Sequence, residues 1–337
     1  MANLSTCNEK YNGLSDVDGN MYFLVGFITY IVFTSFVSIV GNILCAVAIL
    51  RPTRTVRGRL RKRLPKSRYI FIFNLAITDA MGGLLYPVQF IIGDSVVDVP
   101  GLSTGITSSL TILAIAAERF NKIVLEKTYQ NSRSERMRSI GCCVILWSLP
   151  FVCLISIYTY DPDLHKFVFF FVGPVCVIFV MFSIAFLYTS IILTIRLHEQ
   201  NKIHKFGSRK FNKMKLVLRA YGVILLVYVV CWLLWAVESI RICITRYLTV
   251  SITEERCLEG TTLLYVALGL GLMNSAINPV IYWKTLPDIR WGIRQIYYVF
   301  LEGMFGKCCK LENGSSDVAA CTNSTTSHPA TIGSSTL

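Results

Sequence analysis

The sequence predicts an all-α integral membrane protein, a bundle of seven transmembrane helices followed by an amphipathic helix. Of its 337 residues 53% are hydrophobic and only 16% are charged, which is not the composition of a soluble globular domain. A spanning helix needs about 20 mostly apolar residues. Seven stretches meet that requirement: 22–50, 69–93, 99–123, 139–158, 167–195, 216–240 and 261–283.

The first element and the last differ from the spans between them. The first apolar stretch is too long for a signal peptide and follows no basic segment, so we expect an uncleaved anchor. After the seventh stretch, apolar residues recur every three or four positions with basic residues between them. That pattern predicts an amphipathic helix on the inner membrane surface. Its apolar positions are Ile289, Ile293, Ile296, Tyr297 and Phe300.

The third stretch is the least regular of the seven. Pro100 has no N–H to give to a helix interior, so we expect no regular helix through 96–100. Gly101 and Gly105 weaken the same turns, because glycine is a poor helix former.

The net charge of +13 follows the predicted topology. Of the 33 Lys and Arg residues, 26 lie in the segments 51–68, 122–138, 196–215 and 284–310, which alternate with segments poor in basic residues. Loops inside the cell carry such an excess, so the N-terminus is predicted to lie outside the cell. The basic residues then set the orientation of the chain in the membrane and add a modest attraction to anionic lipid. We therefore expect no nucleic-acid partner.

Four regions are predicted along the chain. They are an extracellular N-terminus (1–21) with a glycosylation acceptor at Asn3, a seven-helix domain (22–283), a segment with the amphipathic helix (284–310) and a disordered tail (311–337). Cys308 and Cys309 close the third region and are either palmitoylated or unmodified thiols.

Three cysteines fall on the predicted outer side, where disulfides are stable. We favour a bridge between Cys243 and Cys257 within the last outer loop. A bridge from Cys7 to one of these two is the alternative.

Several polar residues sit inside the apolar stretches, where lipid offers them no partner. The second stretch contains Asn74-Leu-Ala-Ile-Thr-Asp79, the third ends in Glu118-Arg119-Phe120, and the seventh contains Asn278-Pro279-Val-Ile-Tyr282. Together these motifs resemble those of the rhodopsin-like G-protein-coupled receptors. The resemblance covers essentially residues 22–310.

The resemblance implies a sodium site in the middle of the membrane. Asp79, Ser108, Asn274 and Asn278 fall on the positions that bind the ion in the family, and they supply the oxygen ligands that hard cations prefer. The alternative is a protonated Asp79 hydrogen-bonded to Asn278.

The resemblance also assigns the activation machinery. Arg119 is expected to pair with Glu118 at rest and to meet a heterotrimeric G protein when helix six moves outward, and arrestin is the other expected cytosolic partner. An arginine snorkelling to lipid phosphates is the alternative for Arg119. The remaining residues expected to act in activation are Tyr188, Asn278, Pro279 and Tyr282.

The chain departs from the family pattern in ways that bear on signalling. Leu234 replaces the proline of the sixth-span motif, so the usual kink there is in doubt. The inner end of that span has Lys213 and Lys215 where many relatives carry an acid, so we expect basal signalling. The stretch from Asp79 to Arg119 is also shorter than the family pattern, which predicts that helix two or helix three is short at its outer end.

The ligand pocket is expected at the outer end of the bundle. No cysteine lies between residues 46 and 141, so the family's usual disulfide on helix three cannot form. This feature and the short second outer loop are similar to melanocortin receptors and, less fully, to cannabinoid and lysophospholipid receptors. Asp94 and Asp98 match the melanocortin pair that holds calcium and the arginine of a peptide; an acidic loop without a ligand is the alternative.

Three residues of the sixth span complete the expected pocket: Trp232, Trp235 and Glu238, although Glu238 can instead pair with Arg241. The sequence therefore predicts a plasma-membrane receptor, not an enzyme, that passes an extracellular signal to G proteins, with a peptide as its expected ligand. A lipid receptor of the same fold and a non-signalling receptor-like protein are the alternatives. A transporter is disfavoured, because the sequence shows no internal repeat.

Overall fold

The structure, a computed structural model, is built from eight long α-helices within the residues it describes. Those residues are 21–51, 53–54, 60–61, 67–92, 95–125, 132–161, 164, 167–201, 208–248 and 254–305. The helices are α1 (Met21–Leu50), α2 (Ser67–Ile92), α3 (Ser95–Ile123), α4 (Ser132–Tyr160), α5 (Gly173–Asn201), α6 (Ser208–Leu248), α7 (Glu254–Thr285) and α8 (Pro287–Phe305).

Seven of these helices, α1 to α7, are long and apolar enough to cross a membrane. The predicted fold class is therefore confirmed. The eighth helix, α8, begins at Pro287, a position where the missing N–H costs nothing because the first turn of a helix has no internal acceptor for it. Leu234 lies inside α6, which runs without interruption for 41 residues.

The seven spans pack as a closed bundle. Helix α1 contacts α2, α2 contacts α3, α5 contacts α6, α6 contacts α7, and α7 returns to pack on α1. Helix α4 contacts α2 and α3, and α3 also contacts α5, which closes the ring. Helix α3 is the most buried of the spans. The peripheral helices carry apolar side chains outward: Phe179, Phe182 and Phe186 of α5 are exposed at helical spacing, as expected of a face that meets lipid.

A π-helical turn, Val168–Val172, leads into α5. Pro174 is the second residue of α5 and directly follows the π-helical turn, so the helical run continues through it. The turn contacts both α5 and α6, which brings Phe169 against the aromatic side chains of α6.

The prediction for the start of the third span is wrong, because α3 is helical from Ser95 through Pro100. Pro100 is only the sixth residue of the helix, so its missing N–H removes a single hydrogen bond near a free end. The burial of Val99 and Leu102 against neighbouring helices compensates for that loss.

Helices α2 and α3 have 26 and 29 residues, each long enough to span a bilayer. Only residues 93–94 separate them. That one of the two helices is short at its outer end relative to the family stays a prediction.

The long segment between α1 and α2 contains a small antiparallel ladder that the all-α prediction did not include. Strand β1 (Thr53–Arg54) pairs with β2 (Leu60–Arg61), with Thr53 opposite Arg61 and Arg54 opposite Leu60. A hairpin of this kind takes up loop length without extending either helix.

The described residues form two compact units that divide within α8, one ending at Gly292 and the other starting at Ile293. The four predicted regions remain a prediction. Asn3, Cys308 and Cys309 lie outside the described residues, as does the predicted tail.

Helices α1 and α7 approach each other closely at Gly41. A Cβ atom built on Gly41 would lie 2.9 Å from Cγ of Pro279, a distance that real Cβ atoms essentially never show. The proline ring cannot rotate away, because it is closed onto the backbone. Glycine at this position is therefore required by the α1–α7 contact.

We expect Gly41→Ala to destabilise the bundle by about 1–3 kcal/mol, the usual cost of overpacking a core. The measurement is the melting temperature of the solubilised protein. Gly26→Ala is the matched control, since Gly26 is also in α1 and its added Cβ would meet nothing within 4 Å. Equal melting temperatures for the two variants would contradict the assigned contact.

Candidate receptor core and ligand cavity

A buried polar cluster centred on Asp79 joins three helices. Asp79 is 1% exposed, and its Oδ1 accepts hydrogen bonds from Ser108 Oγ of α3 at 3.2 Å and Ser275 Oγ of α7 at 3.1 Å. Its Oδ2 accepts one from Asn278 Nδ2 at 2.7 Å. These donors supply the hydrogen bonds that lipid cannot give. The buried carboxyl group is therefore tolerated only when α3 and α7 pack against α2.

Helix α1 is tied to the same region through backbone carbonyls. Ser38 Oγ donates to the carbonyl of Asp79 at 3.0 Å. Asn42 Nδ2 donates to the carbonyls of Ser38 and Ser275, both at 2.9 Å. Four helices therefore meet around one buried carboxyl group.

Three amide oxygens of α1 and α7 accept no hydrogen bond within the described residues. They are Oδ1 of Asn42, Asn274 and Asn278, on residues that are 0%, 1% and 0% exposed. Carboxylate, hydroxyl and amide oxygens are the ligands that hard cations take. The donor set therefore fits the predicted sodium ion, and Ser275 belongs to the set although the sequence reasoning did not select it.

A second buried network ties α2, α3 and α4 together. Asn74 Nδ2 donates to Thr111 Oγ1 at 2.8 Å, and Trp147 Nε1 donates to Asn74 Oδ1 at 2.9 Å. Thr107 Oγ1 adds a bond to the carbonyl of Leu146 at 2.9 Å. Asn74 lies in the same motif as Asp79, so that motif positions both networks.

The Glu118-Arg119 pair lies at the far end of α3. Arg119 Nη2 is 3.9 Å from Glu118 Oε2, and the two side chains are 13% and 11% exposed. The predicted activation tyrosines Tyr188 and Tyr282 are buried in α5 and α7. The side chains of Lys213 and Lys215 lie outside the described residues.

Aromatic side chains form a small cavity at the other end of the bundle. The rings of Trp232 and Trp235 are 5.5 Å apart and edge to face, and Phe169 meets Trp235 at 6.0 Å. The cavity between α2, α3, α5, α6 and α7 measures about 20 Å³. It is lined by Tyr86, Leu102, Gly105, Ile106, Phe169, Gly173, Val177, Trp232, Trp235 and Leu268.

The other predicted pocket residues are placed differently. Glu238 does not line the cavity; its Oε2 pairs with Arg241 Nε at 2.7 Å, the alternative that the sequence left open. Asp94 and the side chain of Asp98 lie outside the described residues, so the calcium site stays a prediction. Cys243 is buried, but the side chain of Cys257 is not described, so their disulfide also stays a prediction.

Comparison with known proteins identifies the family. The model of the 7 transmembrane receptor (rhodopsin family) matches residues 41–282, which is most of the chain, and the protein belongs to that family. It is therefore a multi-pass plasma-membrane receptor that signals through G proteins, and not an enzyme.

The chain is similar to several curated proteins, among them one from Danio rerio and one from Xenopus laevis. Sphingosine 1-phosphate receptor 1 of Danio rerio is 26% identical over 289 residues, which cover 75% of each protein. Melanopsin-B of Xenopus laevis is 26% identical over 328 residues, 83% of this chain but 58% of melanopsin-B. The crystal structure of squid rhodopsin has the same fold, with a TM-score of 0.61, 15% identity and coverage of 88% of this chain and 92% of the rhodopsin.

Proposed function

We propose that a ligand entering from outside shifts a two-state equilibrium of the bundle and opens a cytosolic cleft at Arg119 for a G-protein helix. The observation that carries this proposal is the cluster around Asp79. Its donors lie on α3, which carries Arg119 in its last turns, and on α7, where Tyr282 follows Asn278 by about one turn. A rearrangement of these bonds would therefore act on both helices at once.

Orientation and further partners are part of the proposal. The alternation of basic and neutral loops supports an extracellular N-terminus. With that orientation Glu118 and Arg119 face the cytosol, where the G protein and arrestin would bind.

We further propose that the Asp79 cluster binds sodium in the resting state. Asp79, Ser108, Asn274 and Asn278 would hold the ion, with Ser275 as an added oxygen ligand. The ion would supply a positive charge that balances the carboxylate. The side chains hold their oxygens in place through bonds between α2, α3 and α7, so ion binding stabilises that packing.

Sodium is therefore expected to raise the melting temperature of the receptor, because a ligand that binds only the folded state stabilises it. The comparison is sodium chloride against choline chloride at equal ionic strength. Asp79→Asn should abolish the difference in melting temperature between the two salts, and Ser275→Ala should reduce that difference. Ser239→Ala is the control, since Ser239 is a buried serine of α6 outside the cluster. A sodium effect that survives in Asp79→Asn would refute the site.

Basal signalling is the second expected property. Many relatives have an acidic residue where this chain has Lys213 and Lys215, and such an acid can form an ion pair with the arginine of α3. The two lysines have the same charge as Arg119 and cannot do so, so no ion pair from these positions holds α6 against α3.

Cells expressing the receptor without added ligand should activate G proteins above the background of cells that lack it. Arg119→Ala should remove that activity at equal surface expression, because the cleft then lacks its central cation. Background activity of the unmutated receptor at normal surface levels would favour the non-signalling alternative.

For the ligand, the cavity favours an apolar group over a charged one. None of the ten described residues that line it carries a charge. Its volume holds about one water molecule, whereas small-molecule pockets measure about 300–1,000 Å³. A ligand must therefore displace side chains that line the cavity, and displacement of Trp232 or Trp235 would couple ligand entry to α6.

We propose a lipid or a similar apolar molecule as that ligand. The relative from Danio rerio, sphingosine 1-phosphate receptor 1, is named for a lipid, which supports a lipid as the ligand of this chain. The peptide hypothesis depends on Asp94, Asp98 and a bound calcium ion, and it remains the second candidate.

A G-protein recruitment screen of lipids and peptides distinguishes the two ligand classes. An apolar activator should lose potency in Gly105→Ala, because the new Cβ would lie 2.9 Å from Tyr86 Oη and 3.4 Å from Trp232 Cη2. Gly141→Ala, whose Cβ would meet nothing within 4 Å, should respond like the unmutated receptor. An activator that depends on calcium and is lost in Asp94→Asn and Asp98→Asn would establish the peptide class instead.

A further inference from the structure

A lysine at the end of α3 makes two ion pairs beside Arg119. Lys122 Nζ lies 2.7 Å from Glu118 Oε1, one turn earlier on the same helix. The same ammonium group also pairs with Glu135 of α4. Lys122 thus bridges two helices and two carboxylates.

The distances from the Glu118 carboxylate to Lys122 and to Arg119 differ. Lys122 is within hydrogen-bond distance of one carboxylate oxygen, whereas Arg119 Nη2 is 3.9 Å from the other. A charge-assisted hydrogen bond is stronger than an attraction at the longer distance. Glu118 and Arg119 are both shielded from solvent, so the pairs there are screened less than exposed ones.

Glu135 has a separate effect, because it lies near the start of α4 and not on α3. Its pairing with Lys122 holds the ammonium group between the two helices. The positive charge of Lys122 also offsets the repulsion that Glu118 and Glu135 would otherwise exert on each other.

We propose that Lys122 is a positioning residue that weakens the resting Glu118–Arg119 pair, and so raises basal coupling, while it links α3 to α4. The inference depends on the proposed function, in which Arg119 must leave Glu118 to meet the G protein. It adds a determinant of basal activity within α3 and α4, separate from the missing acid of α6.

Basal G-protein activation, normalised to surface expression, measures this effect. Lys122→Gln should lower it roughly two- to fivefold, the shift that a partly exposed ion pair supplies. Lys122→Arg, which keeps the charge, should restore most of it. Glu118→Gln should remove the effect, so that the double variant with Lys122→Gln signals as strongly as Glu118→Gln alone. A lysine that only supports the fold would lower activity equally in both backgrounds, and that result would overturn the proposal.

The ion-pair bridge has its own measurement, which does not depend on signalling. In thermal melting, Lys122→Gln and Glu135→Gln should be non-additive, because either change breaks the same α3–α4 contact. Additive effects would overturn the bridge. If the unmutated receptor shows no more basal G-protein activation than Arg119→Ala, the proposed function is overturned, and with it the effect of Lys122 on signalling. The melting temperatures of the single and double variants would still decide whether the ion-pair bridge exists.

Discussion

The hydrogen bonds around Asp79 are the constraint on which the bundle depends. A carboxyl group enclosed by apolar helices is tolerated only where donors from other segments reach it, and here they come from Ser108, Ser275 and Asn278. Slipping any of these helices by one turn would break several of the bonds at once. Because α1 bonds to the backbones of α2 and α7 through Ser38 and Asn42, the cluster fixes four helices along their axes.

The same cluster lies between the two ends of the molecule that a signal must connect. Trp232 and Trp235 close a cavity at one end, and Glu118 and Arg119 occupy the end of α3 at the other. Helix α3 carries a residue of each of the three sites: Gly105 lines the cavity, Ser108 bonds to Asp79, and Arg119 pairs with Glu118. In the proposed function this helix is the physical route for coupling, and the element with two states is the bundle itself.

The sequence was sufficient for the fold and for much of the core. Seven apolar stretches predict seven spans. The cost of Asp79 in lipid predicts that it has polar partners, and the resemblance to the family implies that Asn278 is one of them. Ser275 and Thr111 could not be selected in this way, because a serine or threonine in a spanning helix can satisfy its hydroxyl on its own backbone. The ion-pair partners of Lys122 and Glu238 depend on the relative positions of the helices and on side-chain rotamers. Sequence spacing alone does not decide whether such a residue pairs within its own helix or with a neighbouring helix.

The two-residue connection between α2 and α3 has a consequence for how the outer end of α3 is held. The chain lacks a cysteine that could bridge helix three to the second outer loop, and in its place a very short stretch of backbone joins α3 to α2. A peptide linkage is inert to thiols and to cellular reductants. The restraint on this end of α3 is therefore independent of redox conditions, and it persists in an environment that would open a disulfide.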